Sequence, residues 1–218
     1  AGRLRELVDA EPQAPQTDAL ISRTALSKLP DASGVYILRN AVGFCVYVGK
    51  SKNLKARVSS YWQHGGAETD KKQAIRKTVR SVDWELTGSE LIALIREAQL
   101  IEHYTPPINR QFEVHERQTP FSDPRSLAVV LPAAQAGFLD VAVMQRGGRV
   151  EICRICRRGG MTTKLREAIE RCFQPETAAP QEADRRTAQI AASWVERHRS
   201  EVGYVVVDEQ PDPDSALK

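Results

Sequence analysis

The sequence predicts an α+β fold built in two parts, and three observations carry that reading. Residues 34–40 and 44–50 are β-rich and flank Ala41-Val42-Gly43, the pattern of a hairpin. Helical patterns follow from Ser51 to about Gln63, from Asp70 to Arg80 and from Ser89 to about Tyr104, with a strand-like VDWELT between the last two. Beyond a polar linker, Glu113 to Arg125, strands and helices return at different lengths.

Taken in order, residues 1–29 form an N-terminal helical extension. Leu4, Leu7 and Val8 make an amphipathic start, a Pro-rich spacer runs from Glu11 to Gln16, and a short helix is expected from Thr17 to Lys28. Leu29-Pro30 and Ser33-Gly34 open a compact unit over residues 30–111. With a two-residue hairpin loop, Tyr36 lies directly opposite Tyr47 and both rings share a face; a slip of one residue would separate them. Ser51 is the expected N-cap of the next helix. Leu54, Val58 and Tyr61 form its inward stripe, bordered by Arg57. Pro106-Pro107 end the long helix opened by Ser89. Residues 112–218 are a C-terminal α+β domain: SLAVVL, a hairpin LDVAVMQ/RVEICRIC, a helix from about Met161 to Phe173, another from about Ala183 to Arg199, and a last strand GYVVV. This domain is the candidate binder of DNA or of a partner protein.

Composition bounds the function. The 218 residues are 41% hydrophobic and 27% charged, the balance of a soluble globular protein. No apolar run reaches the ~18 residues of a membrane span, and the polar, charged N-terminus is not a secretory signal. Residues 50–80 carry nine Lys/Arg against two acids, whereas residues 112–218 carry 15 basic and 16 acidic residues. Lys52, Lys55, Lys71, Lys72, Arg76, Lys77 and Arg80 are therefore the candidate contacts to a polyanion such as nucleic acid. Four sparse cysteines imply no disulfide framework and point to a reduced, cytoplasmic setting. Cys153 and Cys156 form a lone C-x-x-C inside an alternating strand pattern, without the further ligands of a zinc site.

The chemistry-bearing residues cluster in the first unit. Gly34-Val35-Tyr36 and Tyr47-Val48-Gly49 bracket the hairpin, Lys50 follows at once, and Arg57 and Tyr61 lie on the next helix. On the long helix, Glu97 has Ala93, Leu94, Leu100 and Ile101 as its i±3 and i±4 neighbours. A carboxylate in such company is costly unless it is paired, reaches water or binds a cation. His64 and His115 flank the unit and are weaker candidates for DNA contact.

In this order, with Asn109 after the prolines, these residues resemble the GIY-YIG nuclease family, most closely the N-terminal nuclease domain of UvrC-like proteins, over about residues 30–111. Val stands for Ile in both triplets, a packing change, and Arg96 occupies a position that is usually apolar. The resemblance implies a three-stranded antiparallel sheet flanked by helices and a metal-dependent endonuclease acting on DNA, in UvrC-like repair and with other repair proteins as partners. It implies catalytic roles for Tyr36, Tyr47, Lys50, Arg57, Tyr61, Glu97 and Asn109. Glu97 would hold one Mg²⁺ or Mn²⁺, and one carboxylate with several waters suits Mg²⁺. Tyr47 would act as general base with Lys50 beside it, a role Tyr36 could exchange; Arg57 would take a phosphate oxygen. Residues 112–218 carry no second nuclease domain or tandem helix-hairpin-helix pattern. A restriction, mobile-element or phage-defence nuclease is therefore the alternative, and a non-catalytic DNA-binding protein on the same fold is the alternative of another class.

Overall fold

The computed structural model describes residues 21, 23–63, 69–111, 126–145, 150–158, 163–173, 182–198 and 200–206. Most of the N-terminal extension, the linker after residue 111, and both His64 and His115 lie outside the described residues. The described residues form two compact units. The first holds residues 21–85 and 103–111; the second holds 86–102 and 126–206.

The first unit is a three-stranded sheet in the order β2-β1-β3, formed by β1 (Gly34–Arg39), β2 (Cys45–Ser51) and β3 (Ser81–Leu86). β1 and β2 are antiparallel. β3 is antiparallel to β1 as well: Arg80 N donates to Arg39 O at one end, and the Glu85 carbonyl lies against Gly34 at the other. Around the sheet sit the short helices α1 (Arg23–Ser27), α2 (Leu54–Ser59), α3 (Asp70–Thr78) and α5 (Pro107–Gln111), while α4 (Glu90–Tyr104) passes from the second unit into the first. The unit's core gathers Leu29, Tyr36, Leu38, Tyr47, Leu54, Val58, Tyr61, Ile75, Val79 and Ile108.

Three local expectations are corrected. The hairpin connection is longer than two residues, because Asn40 organises it: its Oδ1 accepts from Val42 N (3.1 Å) and Phe44 N (2.9 Å). A register shift between Leu38 and Arg39 accompanies this turn, and Tyr36 pairs with Gly49 while Tyr47 pairs with Leu38. The tyrosines are therefore diagonal rather than opposite; the displacement is two residues, which keeps them on one face. The N-cap of α2 is Asn53, not Ser51: Asn53 Oδ1 accepts from Ala56 N at 2.8 Å, and Ser51 Oγ instead braces the turn through Asn53 N and O. The helix also stops at Ser59 rather than Gln63, where Ser60 Oγ donates to the Arg57 carbonyl at 2.6 Å and competes with helical bonding.

Arg39 ties this unit together at the loop end. Its Nε meets Asp83 Oδ2 at 2.7 Å across β1 and β3, and its Nη1 donates to the Gly43 carbonyl at 3.0 Å. Its guanidinium also lies over the Tyr104 ring, 5.3 Å from the centroid. Thr105 then breaks α4 with a left-handed φ of 42° before Pro106.

The second unit is a four-stranded antiparallel sheet in the order β6-β5-β4-β7: β4 (Leu127–Pro132), β5 (Phe138–Met144), β6 (Val150–Cys156) and β7 (Tyr204–Val206). Alternation splits its side chains between two helical layers. Leu127, Val129, Leu131, Ala142 and Met144 pack with Leu91, Ile92 and Ile95 of α4 and Ala191, Trp194 and Val195 of α7 (Glu182–Arg197). Ala128, Val141, Val143 and Cys153 pack with Leu165, Ala168, Ile169 and Cys172 of α6 (Thr163–Phe173). Asp140 is buried on β5 and is held by Arg154 of β6, Nε to Oδ1 at 2.7 Å and Nη2 to Oδ2 at 3.2 Å. Among the described residues no helix is long and apolar enough to cross a membrane.

Candidate active site

The first unit brings three tyrosines together. Tyr36 comes from β1, Tyr47 from β2 and Tyr61 from the turn after α2, with ring centroids 6.0, 6.3 and 6.4 Å apart. All three rings are buried, as ordinary core tyrosines would be, but two of their hydroxyls meet one another. Tyr36 Oη and Tyr61 Oη share a hydrogen bond of 2.8 Å. Burial pushes the Tyr36 hydroxyl well above its ordinary 10.0; Tyr47 and Tyr61 add to the shift and Arg57 opposes it. Tyr36 therefore remains a neutral phenol at physiological pH, able to donate and accept hydrogen bonds but not to act as the phenolate.

Basic side chains surround this cluster. Arg57 lies over the Tyr61 ring, 5.3 Å from its centroid. Burial works against the Arg57 charge, and the hydroxyls of Tyr36, Tyr61 and Tyr47 outweigh it, so the guanidinium is more firmly protonated than usual. Lys71 of α3 donates to Tyr47 Oη at 2.8 Å, with its nitrogen 4.3 Å from the ring centroid. Sequence reasoning set Lys50 beside Tyr47. Lys50 pairs with Val35 and Tyr47 with Leu38, so strand alternation puts Lys50 out of phase with the tyrosine face. Lys71, expected among the nucleic-acid contacts, turns inward instead; its spacing, one turn before the buried Ile75 on α3, is the signal for that.

The glycines of both triplets have steric reasons that sequence reasoning missed. A Cβ on Gly49 would lie 2.5 Å from Tyr36 Oη and 3.0 Å from Tyr47 Cε1, so the missing side chain leaves room for the tyrosine pair. On Gly34 it would lie 2.3 Å from the Glu85 carbonyl oxygen, blocking the approach of β3. Asn109 of α5 closes the free edge of β2: its Oδ1 accepts from Val48 N at 2.8 Å and its Nδ2 donates to Val48 O at 2.9 Å. The side chain stands in for a neighbouring strand and holds the residue next to Tyr47.

Glu97 lies on α4 in the second unit, half-exposed, with Ala93 and Leu100 buried among its helical neighbours. Its carboxylate supplies a hard oxygen donor at a partly apolar position. Among the described residues no group of three or more His, Cys, Asp or Glu could hold a metal ion. A single carboxylate fits a Mg²⁺-like ion whose other ligands are water and phosphate oxygens, and does not fit a structural zinc. Cys153 and Cys156 are three residues apart on β6, one buried against α6 and one exposed, so their thiols do not converge.

The remaining basic residues divide. Arg76 bonds the Tyr61 carbonyl through Nε and the Gln63 carbonyl through Nη2 (3.1 Å), fixing the turn that carries Tyr61. Arg80 Nη1 donates to the carbonyls of Lys77 and Val79, each at 3.0 Å. Lys55 meets Asp31 at 3.4 Å on the surface. Lys52 and Lys77 are exposed and Lys72 is half-buried.

The family model of the UvrC-like GIY-YIG domain matches residues 32–110, the span that holds both triplets, Glu97 and Asn109. Residues 32–110 belong to the UvrC-like GIY-YIG family. The UvrABC system protein C of Clostridium perfringens is 43% identical over 84 residues, 38% of this chain and 14% of that protein; that of Clostridium botulinum is 42% identical over the same length. The chain thus spans about a seventh of the curated relatives it matches. Among solved structures, the GIY-YIG N-terminal endonuclease domain of UvrC from Thermotoga maritima, bound to magnesium as its catalytic divalent cation, is 33% identical. It covers 40% of this chain and 93% of that domain, with a TM-score of 0.36. In the GIY-YIG domain of this chain, the first glycine admits the third strand and the last accommodates the paired tyrosines.

Proposed function

We propose that the chain is a metal-dependent endonuclease that hydrolyses DNA phosphodiester bonds, in a UvrC-like repair incision, with the second unit engaging DNA or a repair partner. The observation that carries this reading is the tyrosine cluster, where a buried neutral phenol and a cation-bound phenol lie 6.0 Å apart, ring to ring. A structural core gains little from this pairing, whereas proton transfer at a phosphate requires one group to donate and another to accept.

Tyr47 takes a proton from water: the water O–H bond breaks as the phenol O–H bond forms. The water oxygen bonds to phosphorus while the bond to the leaving 3′-oxygen breaks, and solvent protonates that oxygen. Tyr36 and Tyr61 orient the water through their shared hydroxyl bond. Arg57 presents a planar fork to a phosphoryl oxygen. Lys50 and the outward basic residues hold the flanking backbone, and Asn109 keeps β2 in register with the site. Glu97 would hold one Mg²⁺ or Mn²⁺, which supplies charge relief to the phosphoryl group and leaving oxygen.

The test is cleavage by the full chain with Mg²⁺ or Mn²⁺ on duplex, lesion-bearing, branched and single-stranded DNA. Wild type is expected to cut at least one of these, with Y47F and E97A reduced by at least about a hundredfold. No cleavage of any substrate, or E97A cutting as well as wild type, removes the reading. Sequence-specific cutting of unmodified duplex would replace repair with restriction or mobile-element activity.

A further inference from the structure

Tyr47 meets its cation from a helix more than twenty residues further along the chain, and the geometry defines what that cation does. We propose that Lys71 is the positioning residue of Tyr47: its ammonium fixes the Tyr47 hydroxyl as a hydrogen-bond acceptor and favours its phenolate. The catalytic consequence rests on the reading of Tyr47 as the proton acceptor; the coupling of Lys71 to Tyr47 does not.

An ammonium carries only donors. At 2.8 Å from Lys71 Nζ, Tyr47 Oη must accept, so any proton it holds is directed elsewhere. The same nitrogen lies 4.3 Å from the ring centroid, which places a full positive charge beside the phenol along two directions. A cation at such a distance favours the ionised form of an acid. Lys71 is firmly based: Thr69 caps α3, and Ile75, one turn on from Lys71, is fully buried in the core that contains Tyr47.

Other charged or titratable groups among the described residues also face Tyr47. Arg57 of α2 acts with the same sign as Lys71. Tyr36 of β1 and Tyr61 after α2 flank the ring and oppose its ionisation only when they are themselves ionised. α5 contributes the neutral Asn109, and Lys50 follows on β2 itself. Tyr36 Oη bonds Tyr61 and lies within hydrogen-bonding reach of the Arg57 guanidinium, whereas Tyr47 Oη receives its bond from the Lys71 ammonium. The two tyrosines thus meet different cations, and Lys71 is the one that fixes Tyr47 Oη as an acceptor. Lys71 neither gains nor loses a proton in the step; it stabilises the phenolate before water is deprotonated.

The experiment follows the ionisation of Tyr47 directly, without depending on cleavage. The full chain is labelled with tyrosine carrying ¹³C at Cζ, the Tyr47 resonance is assigned with Y47F, and its shift is titrated against pH in wild type, K71M, K71Q and K71R. K71M and K71Q are expected to raise the Tyr47 midpoint by about one pH unit or more, and K71R to restore most of the wild-type value. K71Q keeps the length and a donor, and covers the case in which K71M does not fold. On a cleaved substrate, the acid limb of the rate profile moves up by the same amount, and the rate at neutral pH falls about tenfold per unit. A Tyr47 midpoint that is the same in wild type and in the neutral variants overturns the proposal even if wild type cuts DNA. A shifted midpoint in a chain that cuts nothing upholds the coupling and removes the nuclease reading instead.

Discussion

Replacing Gly49 with Ala tests whether the last residue of the second triplet exists to make room. The added Cβ would stand 2.5 Å from Tyr36 Oη, 2.6 Å from Tyr36 Cζ and 3.0 Å from Tyr47 Cε1. Non-bonded carbon atoms settle about 3.5 Å apart, so the Tyr36 ring must retreat by roughly 1 Å. It has nowhere to go: Tyr36 is fully buried, with the Tyr47 and Tyr61 rings on either side. Either the 2.8 Å bond to Tyr61 breaks or β2 shifts against β1. Overpacking of this kind costs about 1–3 kcal/mol, and the lost hydrogen bond about 1 kcal/mol more. Gly203 is the control, since an added Cβ there meets nothing within 4 Å. Amide hydrogen exchange along β1 and β2 reads the local loss, and cleavage assays read the displacement of the tyrosine pair. G49A is expected to loosen both strands and abolish most cleavage, while G203A does neither. A G49A protein with wild-type exchange in β1 and β2 would refute the steric argument.

Three further outcomes follow from the same geometry. Asn109→Ala strips both partners from the Val48 peptide and is expected to cost about 2–4 kcal/mol; the Val48 amide should exchange faster by at least about tenfold, and unchanged protection would show that α5 is not closing the edge. Arg154→Ala leaves the Asp140 carboxylate, 2% exposed, without its charge partner and is expected to destabilise the second unit by about 3–5 kcal/mol in urea unfolding, whereas loss of the exposed Arg171–Glu151 pair costs about 1 kcal/mol or less. Burial pushes the Cys45 thiol up to about 12 and the Cys153 thiol up to about 11, so iodoacetamide at pH 8 should modify the exposed Cys156 first. Both raised values lie above the unfolded thiol, so the stability they contribute is whole below about pH 9 and is lost as pH rises toward 11 and 12; mass mapping and alkaline unfolding check the two halves.

The sequence made much of the site legible because its residues recur in a fixed order. Tyr36, Tyr47, Arg57 and Tyr61 stand where strand and helix periods put them, and the diagonal offset of the tyrosines did not matter because a two-residue shift preserves the face. The offset itself was hidden in the side-chain bonds of Asn40, a local interaction that hydrophobic alternation does not report. Ser51 and Asn53 are both competent caps two residues apart, and only the backbone at Asn53 decides between them. Lys71 was harder to place. Lys50 is close to Tyr47 in sequence, whereas Lys71 comes from α3, whose Ile75 is buried in the same core. The division of α4 between two units was not visible at all, because its apolar face, Leu91, Ile92 and Ile95, reads alike whichever sheet it covers.

The inward turn of α3 also changes how the chain should respond to salt. If each of the seven cations Lys52, Lys55, Lys71, Lys72, Arg76, Lys77 and Arg80 neutralised one phosphate, the logarithm of affinity would fall with the logarithm of salt with a slope of about −6. Lys71, Arg76 and Arg80 are instead held on Tyr47 and on backbone carbonyls, so the fold fixes their side chains and limits how far they can follow a docking strand. With Lys55 also met by Asp31 at 3.4 Å, a slope shallower than about −6 is expected by the same relation. Part of the positive charge on this face therefore serves as internal mortar, and the grip on nucleic acid should persist in salt that would strip a helix whose every cation faced outward.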